Sequence, residues 1–305
     1  MLRTLNSVWV GETLGPLEQL CIRSGLAAGH PFHVYSYEPE KLKGVPEGAE
    51  VKDAAKVMPQ ERMTAYAECG SFALGSNFWR YEMLGQGLGY WVDLDLLLLK
   101  PLDLDQEYAF GLEREGTINT AIMLAPADSG LVHDLVEFPK TMRRPPWFGP
   151  ARSARFYIQR FTRGPLKLED LPWGTYGPQM LTHFVRKHGL ERFAAKPEVF
   201  YPISWRDVRA LYGPSELVEP MLTENTIGIH LYNSQLRDLA KAPPPAGSFM
   251  AVQFERLGMS IDEIAFDPAR EIEPDRGRDV AQARRRPTVS ETRAEDLNLI
   301  QIPIG

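Results

Sequence analysis

The sequence predicts an α/β fold, a single domain built on one sheet flanked by helices, with a polar tail after it. Three observations predict it. The chain opens strand, helix, strand. An apolar run of strand length, Tyr90 to Leu99, lies between Gly89 and Pro101, as in a strand buried on both faces of a sheet. The 305 residues are 44% hydrophobic and 24% charged, enough to bury one large core.

Taken in order, Ser7 to Gly11 reads as a short strand, Leu17 to Ala28 as a helix with apolar Leu17, Leu20, Cys21 and Ala28 on one side, and Phe32 to Tyr37 as a second strand. Ligands in such sheets gather beyond the carboxyl ends of the strands, which brings Trp9, Gly11, Ser36 and Tyr37 to one crevice. There the aromatics either stack on a nucleotide base or fill core. Residues 41–62 are polar and broken by Pro46, Gly48 and Pro59, so they read as loop with room for a short helix. Ser76 reads as a helix cap, followed by Phe78, Tyr81, Met83, Leu84 and Leu88 at helical spacing. That helix carries Arg80 and delivers the chain into the run at 90–99.

Asp93 and Asp95 interrupt the run. Alternation along one strand points both the same way, and two anions on one face repel unless a cation lies between them. Hard oxygen ligands of this kind hold a divalent metal on a diphosphate. Arg80 beside them either neutralises the pair or binds a ligand's phosphate or hydroxyl; an exposed helix arginine is the plain alternative. The second triplet, Asp103-Leu104-Asp105, follows Pro101 without an apolar lead and reads as a solvated turn.

Further on, Ile118 to Pro126 is a strand whose Asn119 can hydrogen-bond a ligand's hydroxyls or shape a turn. Val132 to Phe138 is a helix. The segment 140–163 holds six arginines among Pro145, Pro146, Trp147, Phe148 and Tyr157, and is either a lid or anionic-acceptor surface or a solvated face. Gly177 permits close backbone approach and Pro178 suits a first helical turn. Val199 to Trp205 reads as core strand plus turn, and Ile227 to Ser234 as a closing strand. His230 on it is either a satisfied core histidine or a third metal ligand. Phe249 to Phe266 is a last helix or edge element. The domain is expected to span 1–266, with 267–305 a mobile polar tail.

Net charge of −6 argues against a general nucleic-acid binder. Two cysteines, Cys21 and Cys69, make no disulfide framework and read as buried thiols. No run approaches the roughly 18 apolar residues of a membrane span, and the start has no signal core, so a soluble, reducing, cytoplasmic setting is expected.

Two stretches together carry a resemblance. Ser76-Asn77-Phe78-Trp79-Arg80-Tyr81, then Gly89-Tyr90-Trp91-Val92-Asp93-Leu94-Asp95 with the leucine run to Lys100-Pro101, resembles the sugar-binding region of Asp-x-Asp glycosyltransferases of GT-A type. That group includes capsule and lipooligosaccharide transferases and α-1,4-galactosyltransferases. Asn77 stands where the family usually has Asp, Leu88 replaces a glycine and Trp91 a tyrosine. The resemblance implies a GT-A-like nucleotide-binding sheet and hexosyl transfer from a nucleotide-diphosphate sugar to a glycan or lipid-linked acceptor, as in polysaccharide biosynthesis, with retention. By the same resemblance, Asp93, Asp95 and His230 would bind Mn²⁺ or Mg²⁺. Trp9, Gly11, Tyr37, Ser76, Asn77, Arg80, Asn119 and Gly177 would line the donor site. Apart from the resemblance, the arginine-rich segment 140–163 offers a peripheral contact with the inner face of a membrane as one reading of its composition. A metal-dependent phosphohydrolase or nucleotidyltransferase, and a non-catalytic sugar-nucleotide-binding protein, are the alternatives.

Overall fold

The computed structural model describes residues 2–67, 70–113 and 115–260. Cys69 and the tail from 261 onward, including the expected mobile segment, lie outside the described residues.

The parallel half of the sheet comes from the opening of the chain. Strand β1 (Leu5–Trp9) pairs in parallel with β2 (Phe32–Ser36), β2 with β3 (Ala49–Asp53), and β1 on its other side with β4 (Tyr90–Val92). Helix α1 (Pro16–Ala27) makes the first crossover, with proline in its first turn, where a missing N–H costs nothing. Strand β3 corrects the reading of 41–62, which allowed loop and a short helix but no strand; short helical turns do form at Ala54–Lys56 and Gln60–Arg62. Its sequence, Ala-Glu-Val-Lys-Asp, is half-exposed at the sheet edge, so it carries too little apolar alternation to announce itself.

The remaining strands are mostly antiparallel. Strand β7 (Ile118–Leu124) is buried along its whole length and pairs with β4 and with β6 (Ala109–Leu112), and β8 (Ala194–Ala195) closes the edge. The seven-stranded order is β3-β2-β1-β4-β7-β6-β8. The expected class, a mixed α/β sheet flanked by helices, therefore holds. Helix α1 packs on one face with the C-terminal helices α7 (Ser215–Val218), α8 (Asn233–Leu236) and α9 (Phe249–Arg256). On the other lie α2 (Ala73–Gly85), α3 (Gly130–Glu137) and α5 (Pro178–Lys187). The outlying α4 (Pro150–Arg163) joins the second side through Phe156.

The run at 90–99 is not one strand. It ends at Val92, turns through Asp93–Asp95, and resumes as β5 (Leu96–Leu98), which leaves the main sheet to pair antiparallel with β9 (Gly228–His230). The Leu96 N–H donates to Asp93 O at 3.0 Å and closes that turn. The cause is a change of partner. Asp93 N–H still donates to Ala121 O of β7, whereas Asp95 O already accepts from Leu231 N–H beyond β9.

Three further expectations are corrected. Ser76 does not cap α2, which begins three residues earlier, so its hydroxyl serves inside the helix. Residues 199–205 hold no strand; α6 (Pro197–Phe200) is a helical turn, and Tyr201 and Ile203 are buried beyond it. The closing strand stops at His230, because α8 begins at Asn233.

Candidate functional site

Helix α2 places Arg80 in the interior, 4% exposed, between the sheet and the end of β4. Five contacts fix the guanidinium. Its Nε and Nη2 donate to Ser76 O and Ser76 Oγ at 3.2 and 3.0 Å, and Nη1 donates to Thr120 O at 2.7 Å. The same Nη1 lies 3.0 Å from Asp93 Oδ1, and the guanidinium carbon sits 4.4 Å from the centre of the Trp91 ring. Trp91 Nε1 also donates to Asp93 Oδ1, at 2.8 Å. One carboxylate thus receives a charged and a neutral donor, an arrangement that fixes its orientation.

Asp95 is held from the other side. His230 Nε2 lies 3.1 Å from Asp95 Oδ1, and the Asn233 backbone N–H donates to Oδ2 at 3.1 Å. Pairing of Leu96 with His230 sets this contact, since it brings β9 alongside the turn. One ligand atom each from Asp93, Asp95 and His230 can be chosen so that all lie within 4.8 Å of one another.

Asp93 and Asp95 border a cleft of about 580 Å³ at the carboxyl ends of β1 and β4, walled also by Trp9, Ser76, Arg80, Trp91, Trp173 and Arg237, with His230 behind Asp95. Burial raises the Asp93 carboxyl above its ordinary range; Arg80 works against that and the charge of Asp95 adds to it. The group is therefore a poor host for an isolated negative charge, and a cation placed beside it would favour the ionised form.

Two carboxylates and an imidazole suit a hard divalent cation, Mn²⁺ accepting the imidazole more readily than Mg²⁺. His230 Nδ1 is buried without a hydrogen-bond partner, so the ring is positioned by packing and by Asp95 rather than by a network of its own. Tyr232 and Tyr201 supply that packing, with ring centres 4.1 and 5.6 Å from the imidazole. Behind them Glu113 Oε1 accepts from Tyr232 Oη at 3.0 Å and from Asn119 Nδ2 at 2.8 Å. The residues present fit such a cation.

Of the residues singled out from the sequence, Trp9, Ser76, Arg80, Asp93 and Asp95 line the cleft, and His230 abuts Asp95. The others lie elsewhere. Tyr37 donates to Met58 O at 3.0 Å and packs on the helical side of the core. Gly11 is exposed just past β1, beside the Trp9 ring. Asn119 turns inward to Glu113 and Ala121 N–H. Asn77 is buried against Gly177, where an added Cβ would lie 3.0 Å from Asn77 Nδ2. Close approach, the property read from Gly177, is thus directed at α2. The cause is common: proximity to a strand or helix end does not say which way a residue faces or what its backbone packs against.

Trp173 and Arg237 escaped the sequence reading, and so did two cleft residues that contact each other, Glu18 and Asn233. Glu18, in the first turn of α1, is buried and accepts from Asn233 Nδ2 at 3.1 Å. An acid on the inward side of an apolar helix was its one available signal. Asn233, at the start of α8, had none beyond its nearness to His230.

Residues 167–244 match the family model described as "Alpha 1,4-glycosyltransferase conserved region". No curated protein matches the chain. Among solved structures, the chain is similar to one titled "PaToxG Glycosyltransferase", at 11% identity over 86% of this chain and 80% of that one, TM-score 0.41. It is also similar to the ligand-free glycosyltransferase domain from the YGT toxin, at 10% identity over 64% and 80%, TM-score 0.44. The family match excludes Asp93 and Asp95 but contains His230, Asn233 and Trp173, so two separate stretches of the chain, the matched segment and the aspartate run, meet at one cleft.

Proposed function

We propose that this protein is a metal-dependent glycosyltransferase that moves a sugar from a nucleotide-diphosphate donor to a glycan, lipid-linked or other acceptor, with retention at the anomeric carbon. One observation carries the reading. Asp93 and Asp95, from the stretch that resembles a sugar-binding region, stand with His230, from the segment matching an α-1,4-glycosyltransferase region, beside a single large cleft.

Asp93, Asp95 and His230 would hold Mn²⁺ or Mg²⁺. Such an ion, when bound, compensates the charge that grows on a diphosphate leaving group as a glycosidic bond breaks. Arg80 keeps Asp93 aimed at the cleft and adds positive potential there; its side chain is already immobilised by Ser76 and Thr120, so little is reorganised during reaction. Trp9 and Trp173 offer apolar walls for a base or sugar face. The Asn233 N–H holds Asp95 in place, and Glu18 orients the Asn233 side chain. Within this proposal Asn77, Asn119 and Gly177 position the site without meeting the donor, and residues 1–266 make up the catalytic unit.

The test offers a panel of sugar nucleotides with and without Mn²⁺ and reads released nucleoside diphosphate together with sugar transferred. Release is expected to need metal and to vanish in Asp95→Asn. Equal turnover in EDTA would overturn the proposal, and nucleotide or phosphoester cleavage with no sugar moved would favour a phosphohydrolase.

A further inference from the structure

We infer that helix α4 is a docking surface for an anionic phospholipid bilayer. Ala154, Tyr157, Ile158 and Phe161 recur at i, i+3, i+4 and i+7 and so share one face of the helix. In a globular protein that face should turn inward. Here it turns out: Tyr157 is 57%, Ile158 62% and Phe161 91% exposed, and Ala154 is exposed with them.

The helix is tethered from its other side. Phe156 is buried and meets Phe148 edge-on, and Arg152 Nη1 donates to Gln179 Oε1 of α5 at 3.0 Å. The outward stripe is therefore displayed by a fixed scaffold. Helical geometry sets Arg155 on one flank of the stripe and Arg160 on the other, both exposed.

Charge identifies the occupant. Residues 139–168 contain Lys140, Arg143, Arg144, Arg152, Arg155, Arg160, Arg163 and Lys167 and no acid, in a chain whose net charge is −6. A hydrocarbon stripe flanked by cations matches the acyl and headgroup layers of an anionic leaflet. An acidic protein or a nucleic acid would satisfy the arginines but leave Ile158 and Phe161 without apolar surroundings. This inference stands independently of the proposed sugar transfer, because α4 supplies no side chain to the cleft.

The full chain is tested by flotation with phosphatidylcholine vesicles, with and without phosphatidylserine, near physiological salt. Binding is expected only with the anionic lipid. An Ile158→Ser, Phe161→Ser double variant should bind at least about tenfold more weakly, and Arg155→Gln and Arg160→Gln about fivefold each. All four positions are exposed, so circular dichroism and the unfolding midpoint should not move. Equal binding to neutral vesicles, or indifference to the substitutions, would overturn the inference. So would vesicle-free binding of an oligonucleotide, or self-association through Phe161, in a protein that ignores the vesicles.

Discussion

Arg80 Nη1 lies 3.0 Å from Asp93 Oδ1 and donates to Thr120 O at 2.7 Å, so one buried nitrogen ties helix α2 to both the aspartate turn and strand β7. Replacing Arg80 with methionine leaves a carboxylate and a carbonyl without their donor in a water-poor setting. A loss of about 3 kcal/mol in unfolding free energy is expected by urea denaturation. Arg80→Lys should recover only part of it, since one ammonium cannot reproduce the fork that reaches Ser76, Thr120 and Asp93 together.

The cation site should titrate in a defined direction. Burial raises the Asp93 carboxyl, so its proton competes with metal at a pH above the ordinary carboxylate value of 3.8. Calorimetric titration with Mn²⁺ should show affinity falling on acidification. In Arg80→Met, where an ionising partner is lost, the fall should begin at higher pH. A pH-independent affinity would contradict the assignment of Asp93 as ligand.

His230 is held by packing, which makes it vulnerable from a distance. An added Cβ at Gly111 would come within 2.3 Å of the Tyr201 ring, itself buried against the imidazole. Gly111→Ala should cost about 1–3 kcal/mol in stability through overpacking. It should also weaken Mn²⁺ binding. His230→Ala should lower Mn²⁺ affinity roughly 10–100-fold, and comparing the two variants separates a moved ligand from a missing one.

Asp134 governs stability at low pH, away from the cleft. Its Oδ2 accepts from Lys187 Nζ at 2.6 Å and contacts His188 Nε2 at 2.8 Å, joining α3 to α5. Partial burial pushes this carboxyl up, but the two hydrogen bonds and the charges behind them hold it below its ordinary value of 3.8. A depressed carboxylate stabilises the fold above its unfolded pKa and ceases to do so as pH falls through the folded one. Asp134→Asn should therefore lower the unfolding midpoint at neutral pH and lose its effect as pH falls through the depressed folded pKa of Asp134, which lies below 3.8.

The sequence by itself determined the class of fold and the identity of the acids. Leu5–Trp9, Pro16–Ala27 and Phe32–Ser36 form because strand and helix periods are local properties, and the described elements follow them within a residue or two. Asp93 and Asp95 stood out because ionisable groups inside an apolar run are costly. Tertiary structure decided the rest. The run breaks at the aspartates because β5 finds its partner in β9, more than 120 residues later, and no local pattern encodes that choice. The same pairing sets His230 on Asp95 and brings Asn233 to the cleft, where it meets Glu18 of α1. Asn119 and Tyr37 turned elsewhere for the same reason: spacing along the chain fixes a residue's place on its element, while packing fixes what its side chain meets.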